Sequence, residues 1–434
     1  MAIVAPGSST TTSASEGSTS YTVPLAVVTT LFFMWGFLTC LNDILVPHLK
    51  PIFDLNYKEI MLIQFAFFGA YFVFSIPSAK VIDWIGYQRS MVVGLLTMGA
   101  GAFLFVPAAS VPSYPLFLVA LIVLAAGITC LQVAANPYVT VLGNPATASS
   151  RLNLTQAFNS LGTFLAPFFG GLFILSAAPK TIEEIRALAP DALRAYRLHE
   201  AATVKTPYVG LGLALVLLAI AIGTFKLPKI PQAQHQIGEK VNDSIWKHRN
   251  LIFGAIGIFV YVGAEVAIGS FLVNYFTQPD IGGFTEKVAA SFVAFYWGGA
   301  MVGRFIGSGL LQKMKAGHLL GICSVCAAAL VTISMLSTGH FAMWSIILVG
   351  FFNSIMFPSI FALGVAELGP LTGDGSGVMI MAIVGGAILP LAQGAIADRI
   401  GIHHAFFLPV ICYLYILFFA LSGSKPNSER HART

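Results

Sequence analysis

The sequence predicts an all-α membrane protein of twelve spanning helices arranged as two six-helix halves, and three observations predict it. Only 9% of the 434 residues are charged while 57% are hydrophobic, a balance suited to helices whose outer faces are solvated by lipid and not to a water-soluble domain. Apolar stretches of ~18 or more residues recur along the chain, each long enough to cross ~30 Å of hydrocarbon. A polar connection near the middle divides these stretches six and six, and the second set echoes the first.

The expected spans cover roughly residues 22–46, 59–82, 90–109, 115–143, 153–176, 206–226, 250–276, 288–312, 317–337, 341–366, 376–397 and 403–422, with ends uncertain by several residues. Residues 1–20 are rich in Ser, Thr, Gly and Ala and lack the basic start and short apolar core of a cleaved signal, so they read as a disordered cytoplasmic tail. Between the fifth and sixth spans, about 177–205, Glu183, Glu184, Arg186, Asp191 and Arg194 mark a short amphipathic helix outside the membrane. The domain boundaries follow: an N-terminal half over 21–226, a cytoplasmic linker over 227–249 bearing Pro228 and Pro231, a C-terminal half over 250–423 and a tail over 424–434.

Lysine and arginine counts set the orientation. With both termini inside, the inner segments hold Lys80, Arg89, Arg151, Lys226, Lys229, Lys240, Lys247, Arg249, Lys313, Lys315, Lys425, Arg430 and Arg433, while the short outer loops hold only Lys50, Lys58, Lys287 and Arg399. The net charge of +5 is accounted for by these helix-end bases and calls for no nucleic-acid partner. All five cysteines fall in apolar runs, where a disulfide framework is not expected, and the Cys323/Cys326 pair lies inside a spanning segment. No set of His residues has metal-ligand partners, no Ser/His/Asp arrangement stands out, and no GxxxxGKS phosphate loop is present, so neither an enzyme nor an ATP-driven pump is expected.

Function is written in the few polar residues of the spans. Asp43 and Glu265 are lone carboxylates inside long hydrophobic runs that open the two halves. A charge at bilayer depth costs ~2.5–3.5 kcal/mol on insertion scales and is tolerated where it faces a polar pathway. Gln132 and Asn136 lie one turn apart on the fourth span, Gln156 and Asn159 on the fifth, and Asn42 accompanies Asp43 on the first. In the second half Tyr261 and Glu265 are one turn apart, Asn274 follows farther along, Asn353 enters from the tenth span, and Trp297 and Phe357 offer stacking surfaces. Sugar hydroxyls both donate and accept, so amides and carboxylates beside an aromatic platform suit them. The alternatives stay open: buried amides also bond neighbouring helices, and Asp43 or Glu265 in neutral form would make a helix-to-helix bond.

The halves are related by an internal repeat. PYVTVLG at 137–143 matches PSIFALG at 358–364, and Gly162 and Pro167 fall on Gly385 and Pro390. Such parallel duplication resembles the major facilitator architecture, in which substrate binds near the midplane between halves that rock. Between spans two and three, SAKVIDWIGYQR resembles a degenerate form of that group's loop signature, with Asp83, Arg89, Arg151 and, in the second half, Arg304 as candidates for a cytoplasmic latch.

WGFLTCLNDILVP at 35–47, LQVAANPYVTVLG at 131–143, RLNLTQAFNSLG at 151–162, YVGAEVAIGSFL at 261–272 and FPSIFALG at 357–364 resemble the fucose permease family of sugar symporters over nearly all of 22–422. That resemblance implies a role for Asp43 in proton coupling or sugar binding and for Gln156 in sugar recognition. Fucose permease has a Glu on helix four, where this chain has Gln132, and a Gln on helix seven, where it has Glu265. The exchange resembles the branch containing glucose/galactose and N-acetylglucosamine permeases. What it implies is a monomeric, bacterial inner-membrane importer of a neutral hexose. It would use no cofactor, and its only partners would be the sugar, the lipid bilayer and a coupling cation, H+ or alternatively Na+. Asp43 and Glu265 would serve coupling and, with the amides, substrate binding. A non-transporting sugar sensor on the same fold is the other reading.

Overall fold

A computed structural model describes the backbone of residues 21–53, 57–110, 113–173, 187–203, 205–229 and 243–426; the side chains of residues 39, 41–61, 168–173, 197 and 200–203 lie outside the described set. Every regular element among the described residues is helical. In lipid an unpaired backbone N–H or C=O has no water to turn to, and a helix satisfies both within its own segment.

The N-terminal half comprises α1 (Thr22–Phe53), α2 (Tyr57–Ser110), α3 (Tyr114–Val141), α4 (Ala148–Phe173), the short α5 (Pro190–Thr203) and α6 (Lys205–Thr224). Spans two and three run together in α2, but Gly86 at φ 79°, ψ 168° breaks the helical path between them. That left-handed φ suits glycine and lets the chain reverse in a tight turn. The expected extramembrane helix is present as α5, carrying Asp191 and Arg194, while Glu183, Glu184 and Arg186 lie outside the described residues.

The C-terminal half comprises α7 (Arg249–Phe276), α8 (Glu286–Lys313), α9 (Ala316–Leu336), α10 (Gly339–Asn353), α11 (Met356–Gly364), α12 (Thr372–Met381), α13 (Gly385–Ile400), α14 (Ile402–Ala405) and α15 (Phe407–Phe418). Nine described helices are long and apolar enough to cross a membrane. The twelve expected crossings map onto the elements because α2 holds two, α10 with α11 forms the tenth, α12 with α13 the eleventh, and α14 with α15 the twelfth. The tenth is broken at Ser354–Ile355, and Pro358 explains why. It has no N–H to give the Ser354 carbonyl one turn earlier.

Packing separates a lipid-facing shell from a closed interior. Leu213, Leu217 and Ile220 on α6 are more than half exposed, whereas Tyr261, Tyr275, Tyr296 and Tyr413 are almost wholly buried. Large exposed apolar side chains are what a membrane span presents to lipid. Within the halves α1 packs on α4, α2 on α3 and α6, and α7 on α11, α13 and α15; between halves α4 meets α8 and α11, while α12 meets α2 and α3.

The contacts between halves are concentrated at one end of the bundle. Lys80 Nζ reaches Asp374 Oδ1 at 2.8 Å and Asp83 Oδ2 at 3.4 Å. Ser376 Oγ donates to the Val133 carbonyl at 2.8 Å, Ser150 Oγ to the Ser308 carbonyl at 2.7 Å, and Asn153 Nδ2 to the Arg304 carbonyl at 2.7 Å. This is the end at which the Gly86 turn and the α3–α4 connection lie. On lysine and arginine counts it is the expected cytoplasmic end.

Candidate functional site

The C-terminal wall of the interior is a connected hydrogen-bond chain around Glu265. Tyr261, one turn earlier on α7, donates its hydroxyl to Glu265 Oε1 at 2.8 Å and also lies 3.1 Å from the Asn353 carbonyl at the break after α10. Asn353 Nδ2 donates to Tyr296 Oη at 2.9 Å, and Tyr296 in turn reaches the Glu265 backbone carbonyl at 3.4 Å, a weak bond. One carboxylate is thereby framed by tyrosines from α7 and α8 and an amide from α10. Glu265 is half-buried, and among the described residues no ion pair closes on it.

The N-terminal wall is built differently. Gln132 on α3 donates from Nε2 to Tyr71 Oη at 2.7 Å, yet among the described residues its Oε1 has no partner, neither polar atom of the Asn136 side chain has one, and Gln156 Nε2 on α4 has none. All three residues are at most 4% exposed. Leaving a buried amide unpaired costs on the order of 1–3 kcal/mol, so such atoms mark capacity reserved for something that binds. Asn159 differs from them. Its Nδ2 donates to the Phe32 carbonyl at 2.9 Å, the bond between neighbouring helices named as the alternative for buried amides, and it ties α4 to α1.

Asn42 and Asp43 fall on the helical backbone of α1, but their side chains lie outside the described residues. Asn274 is separated from Glu265 by nine residues of α7, about 13–14 Å of helical rise. It lines a separate cavity of about 760 Å³ with Gln64, Ser270 and Asp398, between α2, α7 and α13. Trp297 is 41% exposed and stands edge-on to Tyr296, its ring centroid 5.1 Å away. Phe357 is buried and stacks on Phe361.

The four latch candidates separate in space. Asp83 belongs to the ion-pair cluster at the closed end, where its cation is Lys80, and Arg89 is exposed with no described ion pair. Arg151 clasps the α3–α4 turn, donating to the carbonyls of Val139, Thr140 and Asn144 and to Thr147 Oγ1; these are carbonyls a helix end leaves unsatisfied. Arg304 points inward. Its Nη1 bonds Ser160 Oγ on α4 and its Nε lies 3.3 Å from the Ser354 carbonyl.

Sequence reasoning missed Tyr71, Tyr296 and Tyr413 as members of this interior, and Lys80 with Asp374 as the pair that bridges the halves. Tyrosines in apolar runs carry no signal until their hydroxyls are placed. Lys80 and Asp374 are 294 positions apart, and no local pattern links them. Arg304 did carry a signal: it is a charge inside an apolar run, as Asp43 and Glu265 are.

The model of the Major Facilitator Superfamily matches residues 25–383. A glucose/galactose transporter of Brucella abortus is 54% identical over 406 residues, covering 94% of this chain and 95% of that protein. The L-fucose-proton symporter of Escherichia coli is 36% identical over 415 residues, covering 94% of each. The crystal structure of an Escherichia coli fucose:proton symporter superposes with a TM-score of 0.87 at 33% identity, covering 94% of this chain and 100% of that one. Twelve crossings in two halves, a polar interior between them and matches over nearly the whole length lead to one conclusion: the chain belongs to the major facilitator superfamily.

Proposed function

We propose that the protein imports a neutral hexose across the bacterial inner membrane by proton-coupled symport and alternating access. The observation that carries the reading is the pairing of two chemistries across the interior: unpartnered buried amides at Gln132, Asn136 and Gln156 on one wall, and a carboxylate at Glu265 wrapped in tyrosines on the other. The amides supply donors and acceptors for sugar hydroxyls, and the carboxylate supplies a group that a cation can neutralise. Asp43, from the first span, is the second coupling group, with Asn42 beside it. The assignment to glucose or galactose over fucose is supported by the higher identity to the Brucella abortus glucose/galactose transporter, 54% against 36% to the fucose-proton symporter.

The halves span residues 21–226 and 250–423, and the segment between them is the linker on which they rock. With both termini facing the cytoplasm, the end closed by Lys80 and Asp374 is the inner gate. A monomer suffices, since each chain holds both walls. An ion gradient does work only if cation and sugar occupancy together change which face is open. The test is uptake and counterflow of labelled glucose and galactose in proteoliposomes with imposed proton or sodium gradients. Gradient-driven accumulation with a proton gradient alone is the expected result. Saturable binding without exchange would replace the transporter with a sensor, and accumulation that requires sodium would replace the proton.

A further inference from the structure

The break in the tenth span lies against the Glu265 site. Pro358 leaves the Ser354 carbonyl without an intrahelical donor, and Arg304 Nε lies 3.3 Å from that oxygen. The Asn353 carbonyl beside it lies 3.1 Å from the Tyr261 hydroxyl and shares its single proton with Glu265 Oε1. The close approach of α8 to this break is made possible by Gly303, where a Cβ would lie 2.5 Å from Ser354 Oγ and 2.6 Å from the Phe351 carbonyl. Arg304 also reaches the other half through Ser160 Oγ, and its own carbonyl accepts from Asn153. One residue therefore touches the break in the tenth span and the seam between halves, and the backbone beside that break meets the tyrosine that bonds Glu265.

We propose that Arg304 is a positioning residue that transmits the charge of Glu265 to the α4–α8 seam and to the Ser354–Pro358 break. The argument rests on the coupling role given to Glu265 above. With Glu265 ionised, its charge draws on the guanidinium that holds the Ser354 carbonyl and Ser160, and the seam stays closed. When a cation neutralises Glu265, the attraction is lost, and the hold on Ser160 weakens at the interface that must part for inward opening. A ligand that acts on one state more than the other is what shifts such an equilibrium. The cost of an arginine at bilayer depth is retained because this position links the groups.

The test is a mutant cycle with Arg304→Gln, Glu265→Gln and the double variant. In reconstituted protein, R304Q is expected to move the cation concentration for half-maximal accumulation by at least about threefold. In detergent-solubilised protein, each single variant leaves one charge unpartnered and lowers the melting temperature, and the double variant melts closer to wild type than the sum of the two losses. Should R304Q fail to fold, R304K carries the test, since an ammonium keeps the charge but lacks the fork that spans Ser160 and Ser354. An unmoved half-maximal cation concentration in the folded variant, or melting losses that simply add, overturns the proposal. Loss of all hexose exchange by the wild-type protein would defeat the transport reading, whereas the melting cycle reports on the Arg304–Glu265 link in either case.

Discussion

The two walls of the interior invite comparison because they treat most of their polar groups differently, although Asn353 Oδ1 on the C-terminal wall is also without a partner among the described residues. On the C-terminal wall Glu265, Tyr261, Asn353 and Tyr296 bond one another in a chain. On the N-terminal wall Gln132, Asn136 and Gln156 keep buried polar atoms without partners among the described residues. A bonded network is rigid and sets the properties of the charge within it. Unpaired amides are suited to a visitor that brings its own donors and acceptors. On the proposed function the amides of the first half serve recognition and Glu265 of the second serves coupling together with Asp43 of the first, with Arg304 and Ser160 joining the halves.

The largest expected effect breaks the charged wall. Glu265→Gln keeps size and leaves an acceptor for Tyr261 but removes the charge, so gradient-driven accumulation is expected to fall at least about tenfold, or to lose its cation dependence, in protein that still reaches the membrane. Transport with unchanged cation dependence would make Glu265 a packing residue. Asp43→Asn is expected to produce a comparable loss on the other wall, read by the same accumulation assay; undiminished accumulation would remove Asp43 from coupling.

Next in size is the recognition wall. Gln156→Ala and Gln132→Ala each leave sugar hydroxyls without a fixed partner, a loss of ~1–3 kcal/mol, or roughly tenfold in affinity by calorimetry. Asn159→Ala sharpens the contrast, since its described amide bond goes to the Phe32 carbonyl; melting temperature is expected to fall, with affinity changed by less than about threefold. The smallest effect belongs to the inner gate. Lys80 is 50% exposed where it meets Asp374, and an exposed pair contributes at most about 1 kcal/mol. Lys80→Gln should therefore shift the inward-open population only a few-fold, measurable by spin-label distances across the closed end.

The number of crossings, the turn at Gly86 and the division into halves were legible because each rests on a local signal: apolar length, a glycine between basic and acidic ends, or a repeat. Glu265, Gln132 and Gln156 stood out for the same reason, as polar residues inside apolar runs, while the roles given to them are those of the proposed function. Arg304 carried that signal too, yet its place in the second-half echo of the loop signature pointed to a latch and not to the interior. The break at Ser354–Ile355 was available from Pro358 and is absent from the continuous span expected over 341–366. What no single sequence reveals is pairing across the chain. Lys80 with Asp374, Gln132 with Tyr71, and Arg304 with Ser160 join residues on different helices that meet only when those helices pack.

The most direct measurement of the division of labour is sugar affinity and gradient-driven accumulation determined side by side on the same preparations of Gln156→Ala and Glu265→Gln. The account predicts that Q156A weakens binding by roughly tenfold or more, while E265Q binds within about threefold of wild type and loses accumulation by at least about tenfold. Wild-type affinity in Q156A together with weakened binding and intact cation dependence in E265Q would contradict it, placing recognition on the carboxylate wall.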